Sequence, residues 1–135
     1  MSTHVVLRIE HESLDPSEVT SVLGILPTFS VATPNPGNDR IGPHGKVWVI
    51  SSAWAVRSRD VVDHFRWCVE AIGERGPQLK ILRERGFQMK IYCLWFGVKG
   101  GYGGPRLTPD VLNALAKLEV EVRFDVGFLE AQRDG

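Results

Sequence analysis

Thr108-Pro109-Asp110-Val111-Leu112-Asn113-Ala114-Leu115-Ala116-Lys117-Leu118-Glu119-Val120-Glu121-Val122-Arg123-Phe124-Asp125-Val126 changes its hydrophobic period part-way along, and that change sets the fold class. Val111, Leu112, Leu115 and Leu118 recur at helical spacing behind a polar cap and a proline at the first helical position, where a missing N–H costs nothing. From Val120 the period falls to two. Val120, Val122, Phe124 and Val126 alternate with Glu121, Arg123 and Asp125, the pattern of a half-buried strand. The same cap, proline and helix occur earlier at Asp15-Pro16-Ser17-Glu18, where Asp15 reads as the cap and Glu18 as the partner in a capping box ahead of Val19, Val22 and Leu23. Gly24 and Pro27 end that helix. The chain therefore reads as two strand-helix-strand halves.

Before the earlier unit, Val5, Leu7 and Ile9 alternate with His4, Val6, Arg8 and Glu10, which predicts the first strand. Residues 47–54 predict a second, with Trp48, Ile50, Ser52 and Trp54 on one side and Val47, Val49, Ser51 and Ala53 on the other. Neither side is plainly polar. A helix is expected over residues 59–75, where Val61, Phe65, Cys68 and Ile72 form an apolar stripe opposite Asp60, Asp63, Arg66 and Glu70. Gly76-Pro77 breaks it, and Leu79, Ile81 and Leu82 suggest one more short turn before Gly86. Residues 87–96 are the most hydrophobic stretch, with Phe87, Met89, Ile91, Cys93 and Trp95 on one face and Gln88, Lys90, Tyr92, Leu94 and Phe96 on the other. The second face turns apolar halfway, as in a central strand covered at one end by another element or subunit.

The order strand, helix, strand, helix, strand, helix, strand predicts an α+β two-layer sandwich of ferredoxin-like type. Its expected form is a four-stranded, mainly antiparallel sheet with about three helices on one face. The other face would carry Arg8, Glu10, Lys90, Tyr92, Arg123 and Asp125. One domain is expected over residues 1–135, with its core in residues 4–128, a mobile loop over residues 28–46 rich in Pro, Gly and Asn, and a frayed tail over residues 130–135.

Sixteen lysines and arginines balance 16 aspartates and glutamates, so no dominant field draws in nucleic acid or an anionic membrane. The first residues lack the pattern of a signal peptide, and no apolar run reaches the about 18 residues that span a bilayer, so a cytoplasmic protein is expected. Cys68 and Cys93 lie in apolar stretches and read as buried reduced thiols. Neither has a cysteine or histidine at metal-ligand spacing, and neither metal nor cofactor is expected.

Lys99-Gly100-Gly101-Tyr102-Gly103-Gly104-Pro105-Arg106 invites a phosphate-cradle reading, because its glycines let backbone N–H groups converge ahead of a helix. Neither established glycine fingerprint can be laid on it, and Pro109 removes one helix donor. It reads as a flexible connection. Arg85-Gly86-Phe87 with Tyr92 echoes part of an RNA-recognition strand, but Gln88, Met89 and Lys90 break the motif and Phe87 shares a face with core residues. Of His4, His11, His44 and His64, only His64 has company: Asp60 one turn before it, Asp63 beside it and Trp67 three residues on. It reads first as a surface imidazole paired with a carboxylate.

Leu7-Arg8-Ile9, Asp15-Pro16, Gly24-Ile25-Leu26-Pro27, Trp48 followed by Ser51-Ser52, His64-Phe65-Arg66-Trp67, Cys93-Leu94-Trp95-Phe96, Leu115-Ala116 and Phe124-Asp125 together resemble, in order and spacing over residues 5–126, the bacterial domain-of-unknown-function family 4279. The resemblance implies a small bacterial single-domain protein and carries over no catalytic residue. Small families of this kind often act by binding a protein, for instance as toxin-neutralising immunity proteins.

The expected function is accordingly a non-enzymatic protein-binding module, immunity-like or self-associating, working through the open sheet face and the long loop. Its interface candidates are Trp48, Trp54, Lys90, Tyr92, Phe96, Arg123 and Asp125. The rival is a small-ligand binder or enzyme built on His64, Trp67, Trp95, Lys99 and Arg106 with the glycine loop of residues 97–104. The partner expected is a protein or a second copy; nucleic acid and membrane are not.

Overall fold

A computed structural model of the chain describes residues 3–32, 46–98 and 104–129. Among the described residues, nine elements follow in chain order: β1 (His4–His11), α1 (Ser17–Leu23), β2 (Phe29–Val31), β3 (Lys46–Ser51), α2 (Val61–Ile72), α3 (Gly76–Glu84), β4 (Gln88–Val98), α4 (Pro109–Leu118) and β5 (Glu121–Leu129). The strands make one sheet in the order β2-β3-β1-β4-β5. All neighbours are antiparallel except β4 and β5, which are parallel.

This five-stranded mixed sheet with four helices replaces the expected four-stranded, mainly antiparallel sandwich of ferredoxin-like type with about three helices. Three local causes account for the difference. Phe29-Ser30-Val31, inside the stretch read as a loop, pairs with β3, and three residues are too few to show a period. Residues 76–84, read as one turn, form a full helix that opens with Pro77 in its first turn, where proline is tolerated. The helix α4 returns the chain to the end of the sheet where β4 began, so β5 runs alongside β4 in the same direction. The earlier unit is also a crossover, but a split one, since β3 lies antiparallel between β1 and β2. The two halves are therefore unequal. Residues 33–45 of the expected mobile loop and the expected frayed tail lie outside the described residues.

Register decides which residues face the helices. Leu7 is opposite Ile50 and Ile91, Ile9 opposite Trp48 and Met89, and Val5 opposite Cys93. These side chains form one buried cluster with Val19 and Leu23 of α1, Val61, Val62, Phe65, Cys68 and Ile72 of α2, Leu79 and Leu82 of α3, and Val111, Leu115 and Leu118 of α4. The helices thus share one sheet face. On the other, Arg8 sits opposite Lys90, Lys90 opposite Glu121, Tyr92 opposite Arg123 and Leu94 opposite Asp125, the face-sharing that alternation predicts. Val47 and Val49 are buried on that second face, which is why β3 reads as apolar on both sides.

The helix ends are tied by groups that spacing singled out only in part. Asp15 Oδ1 accepts from the Ser17 N–H at 2.8 Å, but Glu18 makes no capping box and pairs with Arg85 at 3.9 Å; Thr108 makes no side-chain capping bond to α4. At the other ends, two arginines do the work. Arg75 donates to Leu23 O at 2.7 Å and Ile72 O at 2.9 Å, meeting the last carbonyls of α1 and α2 with one guanidinium. Arg83 donates to Leu118 O and to Glu119 O, beyond the end of α4, where Glu119 holds a left-handed φ of 56°. Helix C-termini carry orphan carbonyls and partial negative charge, so a cation bonded there satisfies both.

Arg75→Met keeps the aliphatic stem and leaves both carbonyls unmet; it is expected to lower stability by about 1–3 kcal/mol in a urea titration with an unchanged m-value. Asp60, the cap of α2, accepts from Val62 N at 3.1 Å and from Arg106 at 2.7 Å. Its carboxyl is held below the ordinary range first by the Arg106 guanidinium and then by the Val62 N–H. A carboxyl lowered in the folded state stabilises above its unfolded value and loses that contribution as pH falls. Asp60→Asn should therefore lower the melting temperature at neutral pH, and its curve should converge with wild type below about pH 4.

Candidate functional site

His64 sits in the apolar stripe of α2 between Val61 and Phe65, and the helix turns it inward. It is 1 % exposed, and Ser52 at the end of β3 is fully buried beside it. This corrects the surface imidazole expected from Asp60 and Asp63: Asp60 caps the helix and bonds Arg106 instead. The overlooked signal was its place in the stripe, three residues after Val61 and four before Cys68.

The contacts fix the histidine tautomer. Nε2 lies 2.6 Å from the Ser58 carbonyl oxygen, which can only accept, so Nε2 carries the proton. In the neutral ring Nδ1 then accepts, and its partner at 2.6 Å, the Ser52 hydroxyl, donates. The Ser52 oxygen in turn accepts from Val5 N at 2.9 Å, while Ser52 N donates to Val5 O at 3.0 Å. One hydrogen-bonded chain thus joins β1, the end of β3 and the first turn of α2. A nucleophilic serine needs a base and an approach for substrate. Ser52 has the first and, fully buried, lacks the second, so the pair serves as a latch across the core.

The other ligand candidates are dispersed. Trp67 and Trp95 are half-buried against the core cluster. Trp95 leans over Gly97, where an added Cβ would collide with the indole, and meets Phe128 edge-on with ring centroids 5.9 Å apart. Arg106 is exposed and committed to Asp60. Lys99 and residues 100–103 of the glycine loop lie outside the described residues. A cleft of about 220 Å³ between α2 and α4 is lined by Arg66, Val69, Glu70, Asp110, Val111 and Ala114, none of them among these candidates. Burial pushes the Cys68 and Cys93 thiols up to about 12 and about 11, out of the range of reactive thiolates. Among the described residues, no group of three or more His, Cys, Asp and Glu side chains is placed to hold a metal ion.

The interface candidates divide by depth. Trp48 is fully buried, its indole N–H donating to Thr20 Oγ1 at 3.0 Å, which ties β3 to α1. Trp54 is its opposite, 91 % exposed in the turn that follows β3. Lys90, Tyr92 and Phe96 are half-buried along β4, with Phe96 packed so close to Gly127 that a Cβ there would lie 2.8 Å from its ring. Arg123 and Asp125 are exposed on β5. That strand also carries two residues of the apolar row that periodicity read as half-buried, Phe124 and Val126, and beyond them Phe128; on the helix side, they are 44 %, 43 % and 61 % exposed. β5 ends the sheet, so among the described residues its outer edge meets no other strand.

Residues 1–129 match the family described as a domain of unknown function, DUF4279. The chain belongs to that family. No curated protein and no solved structure shows significant similarity to it. DUF4279 membership extends across all five strands and all four helices described above, and brings no assigned reaction, ligand or partner. No helix among the described residues is long and apolar enough to cross a membrane.

The latch makes a measurable prediction for this DUF4279 chain. His64→Ala should cost about 2–4 kcal/mol through cavity formation and stranded polar groups, and Ser52→Ala about 1–3 kcal/mol. Because one bond joins the two residues, the double substitution should cost less than the sum in a denaturant-based double-mutant cycle.

Proposed function

We propose that this chain is a protein-binding module of the bacterial cytoplasm that docks its partner along the outer edge of β5. One observation carries the reading: a nine-residue strand at the end of the sheet combines an edge free of strand neighbours among the described residues with three large apolar side chains 43–61 % exposed. An edge strand offers a row of N–H and C=O groups to any second strand, and proteins usually blunt such edges with lysine, proline or a bulge. β5, Glu-Val-Arg-Phe-Asp-Val-Gly-Phe-Leu, has neither lysine nor proline, and its charged residues, Glu121, Arg123 and Asp125, all stand on the sheet face opposite Phe124, Val126 and Phe128. Strand addition would supply main-chain hydrogen bonds for affinity, while Phe124, Val126 and Phe128 would set specificity on the helix side. Two buried, unpaired thiols fit a reducing compartment.

The reading keeps Arg123 and Asp125 from the sequence-derived interface and moves its apolar part from the sheet face to the sheet edge. A catalytic reading centred on His64 has less support, because both its ring nitrogens are committed inside the core.

Val126→Lys places a charge in the middle of the exposed row and should change stability by no more than about 0.5 kcal/mol, as for a surface substitution. In quantitative pull-downs from the source cell and in light scattering, it is expected to abolish whatever association wild type shows. Association indifferent to this change would overturn the reading.

A further inference from the structure

We infer that the occupant of the β5 edge is the β5 strand of a second copy of this chain, paired antiparallel in a register centred on Phe124. The inference rests on the docking-edge reading and names its partner. A two-fold interface must be self-complementary, each residue facing the one that lies equally far from the axis on the other copy. β5 and the residue before it satisfy this requirement about Phe124. Two residues away on either side stand Val122 and Val126, and four away stand Val120 and Phe128. One residue away stand Arg123 and Asp125, with opposite charges.

In that register Arg123 faces Asp125 of the second copy, and Asp125 faces its Arg123, giving two reciprocal ion pairs on one sheet face. Val122 faces Val126, Val120 faces Phe128, and the two Phe124 rings meet at the axis, on the helix face. Glu121 faces Gly127, which presents no side chain. Residues directly opposite in antiparallel strands share a face, so the charged row and the apolar row each meet their own kind of partner.

Neighbouring registers do worse on charge or on overlap, and one centred on Val126 would form no ion pair, setting Asp125 against Gly127. A slip that exchanges faces would set Phe124 against a charged side chain. Centring on Arg123 would oppose the two arginines and set Asp125 against Glu121; centring on Asp125 would oppose the two aspartates. Centring on Val122 would pair Arg123 with Glu121 but shorten the ladder and set Asp125 against Glu119. Phe124 is also held in place from below, its ring 6.3 Å from that of Phe65, so the central residue is ordered before association. Two five-stranded sheets would join into one, and the half-exposed Phe124 and Val126 would each gain a cross-strand neighbour.

Charge exchange in the full chain tests both the partner and the register. Arg123 and Asp125 are exposed, so their reversal should leave the melting temperature nearly unchanged. Sedimentation equilibrium should show wild type in a concentration-dependent monomer–dimer balance. Arg123→Asp alone and Asp125→Arg alone should each weaken the dimer by on the order of tenfold to a hundredfold, because two attractive pairs become two repulsive ones. Mixing the two variants should restore dimers to near wild-type strength as heterodimers, and the double substitution Arg123→Asp with Asp125→Arg should restore them in one chain. Dimers unmoved by either reversal, or weakened dimers that neither the mixture nor the double substitution recovers, would overturn the inference. A wild type that stays monomeric yet captures a protein in a Val126→Lys-sensitive manner would overturn the second copy and leave the docking edge standing. A monomer that captures nothing in that manner would sink both.

Discussion

Val5, Leu7 and Ile9 carry one face of β1 into the core while its backbone is paired on both edges, to β3 and to β4, and the remaining elements are placed by reference to that strand. Because the first strand in the chain is central in the sheet, later strands must add outward from it on either side. The chain uses both sides: β3 and then the short β2 on one, β4 and then β5 on the other. The helix layer follows, with α2 packed over β1 and its Phe65 fully buried. Among the described strands, truncating β1 would therefore remove the one that joins both wings of the sheet.

Polar groups in this fold are spent at junctions between elements. The Ser52–His64 chain ties the end of β3 and the start of α2 to β1, Arg75 joins the ends of α1 and α2, and Arg83 closes the end of α4. Each satisfies backbone or side-chain groups that burial would otherwise strand at a cost of about 1–3 kcal/mol. The latch thereby turns the one histidine with a catalytic look into a structural part. Of the described surface, the feature with the strongest physical claim to a partner is the edge of β5.

An edge strand with exposed apolar residues is a hazard unless it has a partner, since it offers the same template to any unfolded chain. The strand retains a charged row as well, with Arg123 3.5 Å from Glu121 and Asp125 two residues further on. Charges of alternating sign weaken non-specific pairing, because most registers would set like charges against one another. Glycine at 127 serves the same end of the sheet in another way, making room for Phe96 on the neighbouring strand.

The sequence by itself determined four of the strands and three of the helices and the two faces of β1, β4 and β5, because alternation and helical spacing are local properties that each segment writes into its own residues; the ordered motifs along the chain marked the family. It placed Arg123 and Asp125 on the exposed face on the strength of that alternation. It could not show that Trp48 is buried and Trp54 exposed, since both lie on the same side of one strand-like run and only the sheet's end separates them. Nor could it show the third helix in full, the three-residue β2, or the parallel pairing of β4 with β5. Tertiary structure decided the order of the strands, the inward turn of His64 and the exposure of Phe124, Val126 and Phe128. Those depend on which segments, distant in the chain, come to lie beside one another, and a residue with the pattern of a core position becomes surface when its strand is the last in the sheet.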